Sequence, residues 1–203
     1  IAGGKPFKDA GATIIAHKRA KERLAVLKDP YTVLPDEVFE RKRTIVLGDT
    51  TLELTYHGLN HSDSSIVMRL PKQKIIFAVD FLPVVFIVDT IPVGTVPGRG
   101  MIDFHPIETE AYIQRVLAMD WDRLIPGHPG QPGGRLGTKK DVQDLLTMLQ
   151  YFSAEVKKAA LDGKCWDAAE NEVKLEQYKD WPGYQASLPM IVRRYCGLWG
   201  RGT

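Results

Sequence analysis

The sequence predicts an α/β protein, and three observations carry that prediction. Residues 51–79 hold three short runs in which apolar residues alternate with polar ones or follow one another, as they do in strands. Segments 18–27 and 138–162 instead repeat apolar residues at helical spacing. The chain has 203 residues, which fits one domain with a sizeable core.

The stretch 51–80 is predicted to form three consecutive strands with polar connections. Residues 51–56 alternate in polarity, 66–70 form a second apolar run, and 74–79 are almost continuously apolar. His61 lies in the polar loop between the first two strands, and Asp80 directly follows the third. A carboxylate at the end of an apolar strand is costly to desolvate unless a cation or a donor meets it. Asp80 therefore requires a partner.

His128 is the candidate partner from the second half of the chain. A short apolar run enters Pro126-Gly127 and delivers this histidine on a tight loop. Two imidazoles and one carboxylate, each just past a strand, are donors that suit a zinc ion. The three residues His61, Asp80 and His128 therefore indicate a metal site.

The N-terminal segment is predicted to contain a strand, a helix and a hairpin. Residues 11–16 form a short strand that ends at His17, which we interpret as hydrogen-bonded locally, and residues 18–27 form a helix. Residues 28–43 contain prolines and mixed charges and are predicted to be a surface loop. Residues 44–56 are predicted to form a hairpin that turns at Gly48-Asp49.

The C-terminal half is predicted to be mainly helical. The segments concerned are a helix from Pro106 to about Met119, a strand at 121–125, a long helix capped by Thr138, helical turns at 165–178, and a last helix through Trp199. The strongly apolar segment 81–97 has two interpretations: an apolar wall for a substrate, or core or interface packing.

Composition excludes some classes of function. The net charge of +2 does not point to nucleic acid or a membrane surface, and no apolar run approaches the ~20 residues of a membrane span. Cys165 and Cys196 are predicted to be small buried residues, and a disulfide between them stays open. No Cys-x-x-Cys or Gly-x-Ser-x-Gly motif is present, so Ser- or Cys-based catalysis has no support.

Four segments together resemble the metallo-β-lactamase superfamily: 58–63, 66–71, 77–80 and 125–128. Val79 stands where the family usually has glycine. The resemblance implies an αββα metallo-β-lactamase sandwich with a helical C-terminal tail. We expect residues 1–137 to form a partial domain of this fold and residues 138–203 to form helices packed on the same domain.

The resemblance also implies a binuclear zinc centre. His61 would bind one zinc ion, Asp80 would bridge two, and His128 would bind the second. Ser62, Asp63 and His57 are candidates to support the metal-bound imidazole, although turn capping explains Asp63 equally well. The implied reaction is hydrolysis of an ester, thioester, lactone or amide by metal-bound hydroxide.

The family's His-x-His-x-Asp-His motif is absent, and residues 1–7 look like those that follow it. We therefore expect a longer natural protein whose missing segment supplies further ligands and the general base. No catalytic residue beyond the metal ligands is assignable here, and this piece alone is expected to be inactive.

Alternative functions stay open. One is a non-catalytic binding or assembly subunit that uses the fold as a scaffold, and another is an iron-dependent, oxygen-using relative. The expected partner is a small-molecule substrate, and the oligomeric state is not predicted. Residues 174–195 resemble the helical tail of a bacterial group that is often exported, so a periplasmic and a cytoplasmic location both stay open.

Overall fold

The computed structural model describes residues 3–79, 105–127, 136–180 and 184–201. Its strands are β1 (Ile15–His17), β2 (Glu37–Phe39), β3 (Lys42–Leu47), β4 (Thr50–Thr55), β5 (Val67–Leu70), β6 (Ile75–Ala78) and β7 (Arg123–Pro126). Its α-helices are α1 (Lys5–Asp9), α2 (Lys18–Leu27), α3 (Pro106–Leu117), α4 (Lys139–Leu161), α5 (Asp167–Glu172) and α6 (Tyr184–Cys196). A 3-10 turn, Glu176–Tyr178, precedes α6, and a π-helical segment, Gly197–Arg201, follows it.

The main sheet has five strands in the order β3-β4-β5-β6-β7. From β3 to β6, each strand is antiparallel to the next, as expected for strands joined by short connections. β7 instead runs parallel to β6, to which it is linked through α3. β1 and β2 form a separate, two-stranded parallel sheet. The mixed α/β architecture predicted from the sequence is confirmed.

The core lies between one face of the main sheet and the helices that follow it. Val67, Ile76 and Leu124 point to this face and have no exposed surface. They belong to one continuous cluster of buried side chains that also includes residues of α3, α4, α5 and α6. Burial of this apolar surface is the main force that stabilises the arrangement. The division of the chain at residue 137 remains a prediction.

The long helix α4 begins where the sequence predicts. The Thr138 side chain accepts a hydrogen bond from the Asp141 backbone, and Asp141 Oδ2 accepts one from Thr138 N at 2.7 Å. This reciprocal capping box satisfies amide groups that the first helical turn leaves unpaired. The predicted helices at 18–27 and from Pro106 are also present.

The prediction of a surface loop at 28–43 is wrong in part. Glu37–Phe39 forms β2, which pairs with β1 twenty-two positions earlier (Ile15 pairs with Glu37), and β3 already begins at Lys42. Asp36 N donates to Ile14 O at 2.8 Å, and Asp36 Oδ2 accepts from Ile14 N. These contacts join segments that are distant in the sequence, so no local sequence pattern predicts them.

The last strand of the sheet is shifted relative to its predicted position at 121–125. It begins at Arg123, whereas Trp121 is buried and donates from its indole to Val116 O at 2.7 Å. Trp121 therefore fastens the end of α3 before the chain enters the sheet.

The two cysteines of the helical tail are free thiols. Cys196 is fully buried and Cys165 is half-buried, and burial raises the pKa of the Cys196 thiol to about 11. Within the described ranges, no helix has both the length and the apolar character that would let it cross a membrane.

Candidate metal centre

One edge of the main sheet collects the ends of four strands. Thr55 of β4 pairs with Val67 of β5, Val67 pairs with Ala78 of β6, and Ala78 pairs with Pro126 of β7. These four residues form a single row across the sheet. The chain segments that leave or enter the strands there must therefore begin side by side.

The predicted ligands belong to segments that join this edge. His61 lies in the loop between β4 and β5 and is half-buried. Asp80 follows Ala78 by two residues, and His128 follows Pro126 by two. Asp80, His128 and the apolar segment 81–97 lie outside the described residues. Their roles remain predictions from the sequence, and for Asp80 and His128 the register of the preceding strands supports them.

Val79 and Gly127, the residues just before Asp80 and His128, are in direct contact. A Cβ atom built on Gly127 would lie 2.9 Å from both Cα and Cβ of Val79. Real Cβ atoms do not approach other heavy atoms so closely, because the van der Waals repulsion is too strong. The two backbones are therefore close to each other just beyond the ends of β6 and β7.

The loop that carries His61 is fastened on one side by α2. Arg23 forms an ion pair with Asp63, and Arg19 Nη1 donates to the Tyr56 hydroxyl at 3.3 Å. The hydrogen bond from Arg23 holds the pKa of Asp63 below its usual value. The other carboxylate oxygen, Asp63 Oδ1, is buried without a hydrogen-bond partner in the described part of the chain. The contact between Asp63 Oδ2 and Arg23 ties the loop to α2.

α3 fastens the beginning of the same loop. The Arg115 guanidinium donates to His57 O, and the His57 ring meets Tyr112 edge-to-face at 5.6 Å between centroids. Burial and then the Arg115 charge lower the pKa of His57, which favours its neutral form. Gly58 has φ +113°, and a Cβ there would lie 3.1 Å from Arg115 Nη1, so glycine suits this position in both conformation and space.

Asn60 is a residue of the loop that the sequence reasoning missed. Its side chain is fully buried, and its Oδ1 accepts a hydrogen bond from Ser62 N at 3.2 Å. Asn60 N in turn donates to Ser62 O at 3.4 Å. The residues on either side of His61 are thus bonded to each other. The signal in the sequence was the tendency of an asparagine side chain to form a hydrogen bond with the backbone two residues further on. Such bonds are common in ordinary turns, so the signal did not single out Asn60.

His17 has one local hydrogen bond, as the sequence predicts, and a second contact with a distant residue. Its Nδ1 accepts from Arg19 N at 3.4 Å, its Nε2 lies 3.0 Å from Glu40 O, and its ring stacks on Tyr56 at 4.1 Å. It is buried beside an open cleft of about 470 Å³ at the start of α2. His17 therefore links the start of α2 to Glu40, just after β2.

The donor set fits a borderline metal ion in its chemistry. Two imidazole nitrogens and one carboxylate oxygen are groups that zinc accepts, and their segments join one sheet edge. Among the residues with described coordinates, no group of three or more His, Cys, Asp or Glu side chains could hold a metal ion. This is expected of a site for which only His61 is described.

Comparison with known proteins decides the family. The model of the "Metallo-beta-lactamase superfamily" matches residues 3–128, which include His61, Asp80 and His128. The chain belongs to this superfamily. No curated protein matches it significantly.

Solved structures support the fold. A metallo-beta-lactamase from Pontibacter korlensis superposes with a TM-score of 0.56 at 21% identity and covers 73% of this chain and 62% of its own. The DIM-1 metallo-beta-lactamase gives a TM-score of 0.57 at 22% identity, with 73% and 63% covered. The present chain therefore spans less than two thirds of the length of these two proteins. At such identities the likeness concerns the metallo-β-lactamase fold alone.

Proposed function

We propose that this chain is part of a metal-dependent hydrolase in which His61, Asp80 and His128 are metal ligands. The row from Thr55 to Pro126 is the observation that carries the proposal. It supports the proposal because the three segments that carry the proposed ligands join the sheet at this one edge. Membership of the metallo-β-lactamase superfamily supports the same reaction class.

Zinc is the proposed metal because the donors are nitrogen and oxygen, with two ions expected in the full-length protein. Metal bound there would supply Lewis acidity and would lower the pKa of water towards ~7. The contribution of this chain is to orient His61: α2 and α3 hold its loop through Arg23, which contacts Asp63, and Arg115, which contacts His57. The proposed substrates are small molecules with an ester, thioester, lactone or amide bond.

The test compares metal content and turnover in the full-length protein. Elemental mass spectrometry should find about two zinc ions per chain in the unsubstituted full-length protein, the parent of the variants below. His61→Ala should lose zinc and hydrolysis of a panel of esters, thioesters, lactones and β-lactams together. The matched control is His105→Asn, which replaces the histidine at the N-cap position of α3 by a residue that is favoured there and should retain both.

Three outcomes would contradict the proposal. Full metal content and turnover in His61→Ala would remove the assigned ligand. Iron in place of zinc would favour oxygen chemistry, and a metal-free, inactive parent would favour a scaffold subunit.

A further inference from the structure

Asn60 directly precedes the proposed ligand His61, and its side chain has no exposed surface. The residues that follow it, 61–66, are all half-buried. A carboxamide that leaves water loses its hydrogen bonds, so its burial is costly unless the protein replaces them. The full burial of Asn60 therefore requires that the protein replace at least some of those bonds.

The replacement bonds of Asn60 close the backbone around His61. Asn60 Oδ1 accepts from Ser62 N at 3.2 Å, and Asn60 N donates to Ser62 O at 3.4 Å. The Ser62 hydroxyl is also 3.1 Å from that of Ser64, which extends the bonded stretch. With both neighbours bonded to each other, the backbone of His61 has few conformations available.

α3 provides the rigid support for this closed turn. The Asn60 side chain lies beside the Tyr112 hydroxyl. Burial raises the pKa of Tyr112, and the neighbouring carboxamide offsets a part of that rise. Among the described residues, Asn60 Nδ2 has no acceptor at hydrogen-bonding distance and angle. The side chain is held instead by the hydrogen bond that Oδ1 accepts from Ser62 N. Arg115, one turn beyond Tyr112, donates to His57 O at the start of the loop. The turn and the start of the loop therefore both contact α3, through the buried Tyr112 and the exposed Arg115.

We propose that Asn60 is a positioning residue for His61, which fixes the direction in which the imidazole is presented to the metal. The inference rests on the proposed function, because it requires His61 to be a ligand. Residues that orient metal ligands typically change metal affinity by about 10- to 100-fold when they are replaced. The carboxamide oxygen is the group that matters, since it accepts from Ser62 N.

The test measures zinc affinity of the full-length protein by competition with a chromophoric chelator, together with the thermal midpoint of each variant. Asn60→Ala should weaken zinc binding by about 10- to 100-fold and change the visible spectrum of the cobalt-substituted protein. Asn60→Asp keeps an oxygen acceptor for Ser62 N and should retain most of the affinity. The matched control is Asn171→Ala, an exposed asparagine that donates to Asp167 O on α5.

A residue that only fills space would behave differently. Asn60→Ala would then lower the thermal midpoint but leave zinc affinity and the cobalt spectrum unchanged, which would overturn the inference. If Asn60→Ala does not fold, Asn60→Asp carries the test, because it keeps an oxygen that can accept from Ser62 N. A loss of zinc affinity of about 10-fold or more in Asn60→Asp would overturn the inference too.

His61→Ala, measured in parallel, separates the two proposals. Parent-like zinc affinity in His61→Ala would remove the proposed function itself. Loss of zinc in His61→Ala with full affinity in Asn60→Ala would overturn only the role of Asn60.

Discussion

Gly127 lies so close to Val79 that a Cβ atom built on the glycine would stand 2.9 Å from the Val79 Cα. The two residues follow Ala78 and Pro126, which pair at the ends of the parallel strands β6 and β7. Packing therefore explains the glycine at position 127. The contact also sets the spacing between the two segments that lead to the proposed ligands Asp80 and His128.

The first prediction concerns this contact. Gly127→Ala should lower the free energy of unfolding by about 1–3 kcal/mol, because the added methyl group overlaps both the backbone and the side chain of Val79. Urea denaturation followed by circular dichroism measures the change. Adding Val79→Gly to this variant should restore part of the loss, since it removes the side-chain share of the overlap.

The control for Gly127 is Gly200→Ala. A Cβ at Gly200 would come within 3.1 Å of the Cys165 sulfur, the end of a side chain that is able to turn away. Its loss of stability should be clearly smaller than that of Gly127→Ala. Equal losses in the two variants would mean that the contact with Val79 is not the cause.

The second prediction concerns the start of α4. Thr138→Ala removes the hydroxyl that caps the Asp141 backbone and should lower the free energy of unfolding by about 0.5–2 kcal/mol. Thr147→Ala is the matched control, because its exposed hydroxyl donates to Gln143 O within the same helix. Thermal or urea melts of both variants provide the measurement. A control that loses as much as Thr138→Ala would contradict the capping role.

The third prediction is a pH dependence that comes from His57. Its pKa is lowered in the folded protein, relative to about 6.5 in the unfolded chain, so the unfolded state binds more protons below that pH. The stability that the neutral ring contributes is complete above the unfolded pKa. It is lost as the pH falls from the unfolded pKa towards the folded one.

The measurement for His57 is urea denaturation of metal-free protein at several pH values from about 7.5 to about 5.5. His57→Gln removes the titrating group and should lose less stability over this range than the parent. Parallel stability curves for the two proteins would contradict the prediction.

The fourth prediction concerns the ion pair between Arg23 and Asp63. The Arg23 side chain is 52% exposed, so water screens its charge and the pair should contribute at most about 1 kcal/mol to stability. A double-mutant cycle with Arg23→Gln and Asp63→Asn measures this coupling energy. A coupling well above this value would show that the pair is more strongly desolvated than its exposure indicates.

Local patterns predicted the elements whose signals lie within the elements themselves. Helix α2 occupies the predicted residues 18–27, and the hairpin of β3 and β4 turns where Gly48-Asp49 predicts. Both depend on the spacing of apolar residues and on turn chemistry over a few positions. β2 was missed because three residues carry too little pattern, and its partner β1 is distant in the sequence.

The candidate site divides in the same way. His61, Asp80 and His128 were identified because short motifs and strand ends surround them in the sequence. Arg23 and Arg115 were not, because a surface arginine on a helix has no local sign of the carboxylate or carbonyl it will bind. Asn60 was missed for a different reason: a turn asparagine is usually exposed, and only tertiary packing buries this one.

The sequence by itself determined the α/β class, the positions of most elements and the identity of the proposed ligands, since periodicity, capping and motif spacing are local properties. Tertiary structure alone decided which strands are neighbours and that Thr55, Val67, Ala78 and Pro126 form one row. It also decided that α2 and α3 both contact the His61 loop, through Arg23 and Arg115. These relationships join residues far apart in the chain, and they follow from the burial of a shared core that no single segment contains.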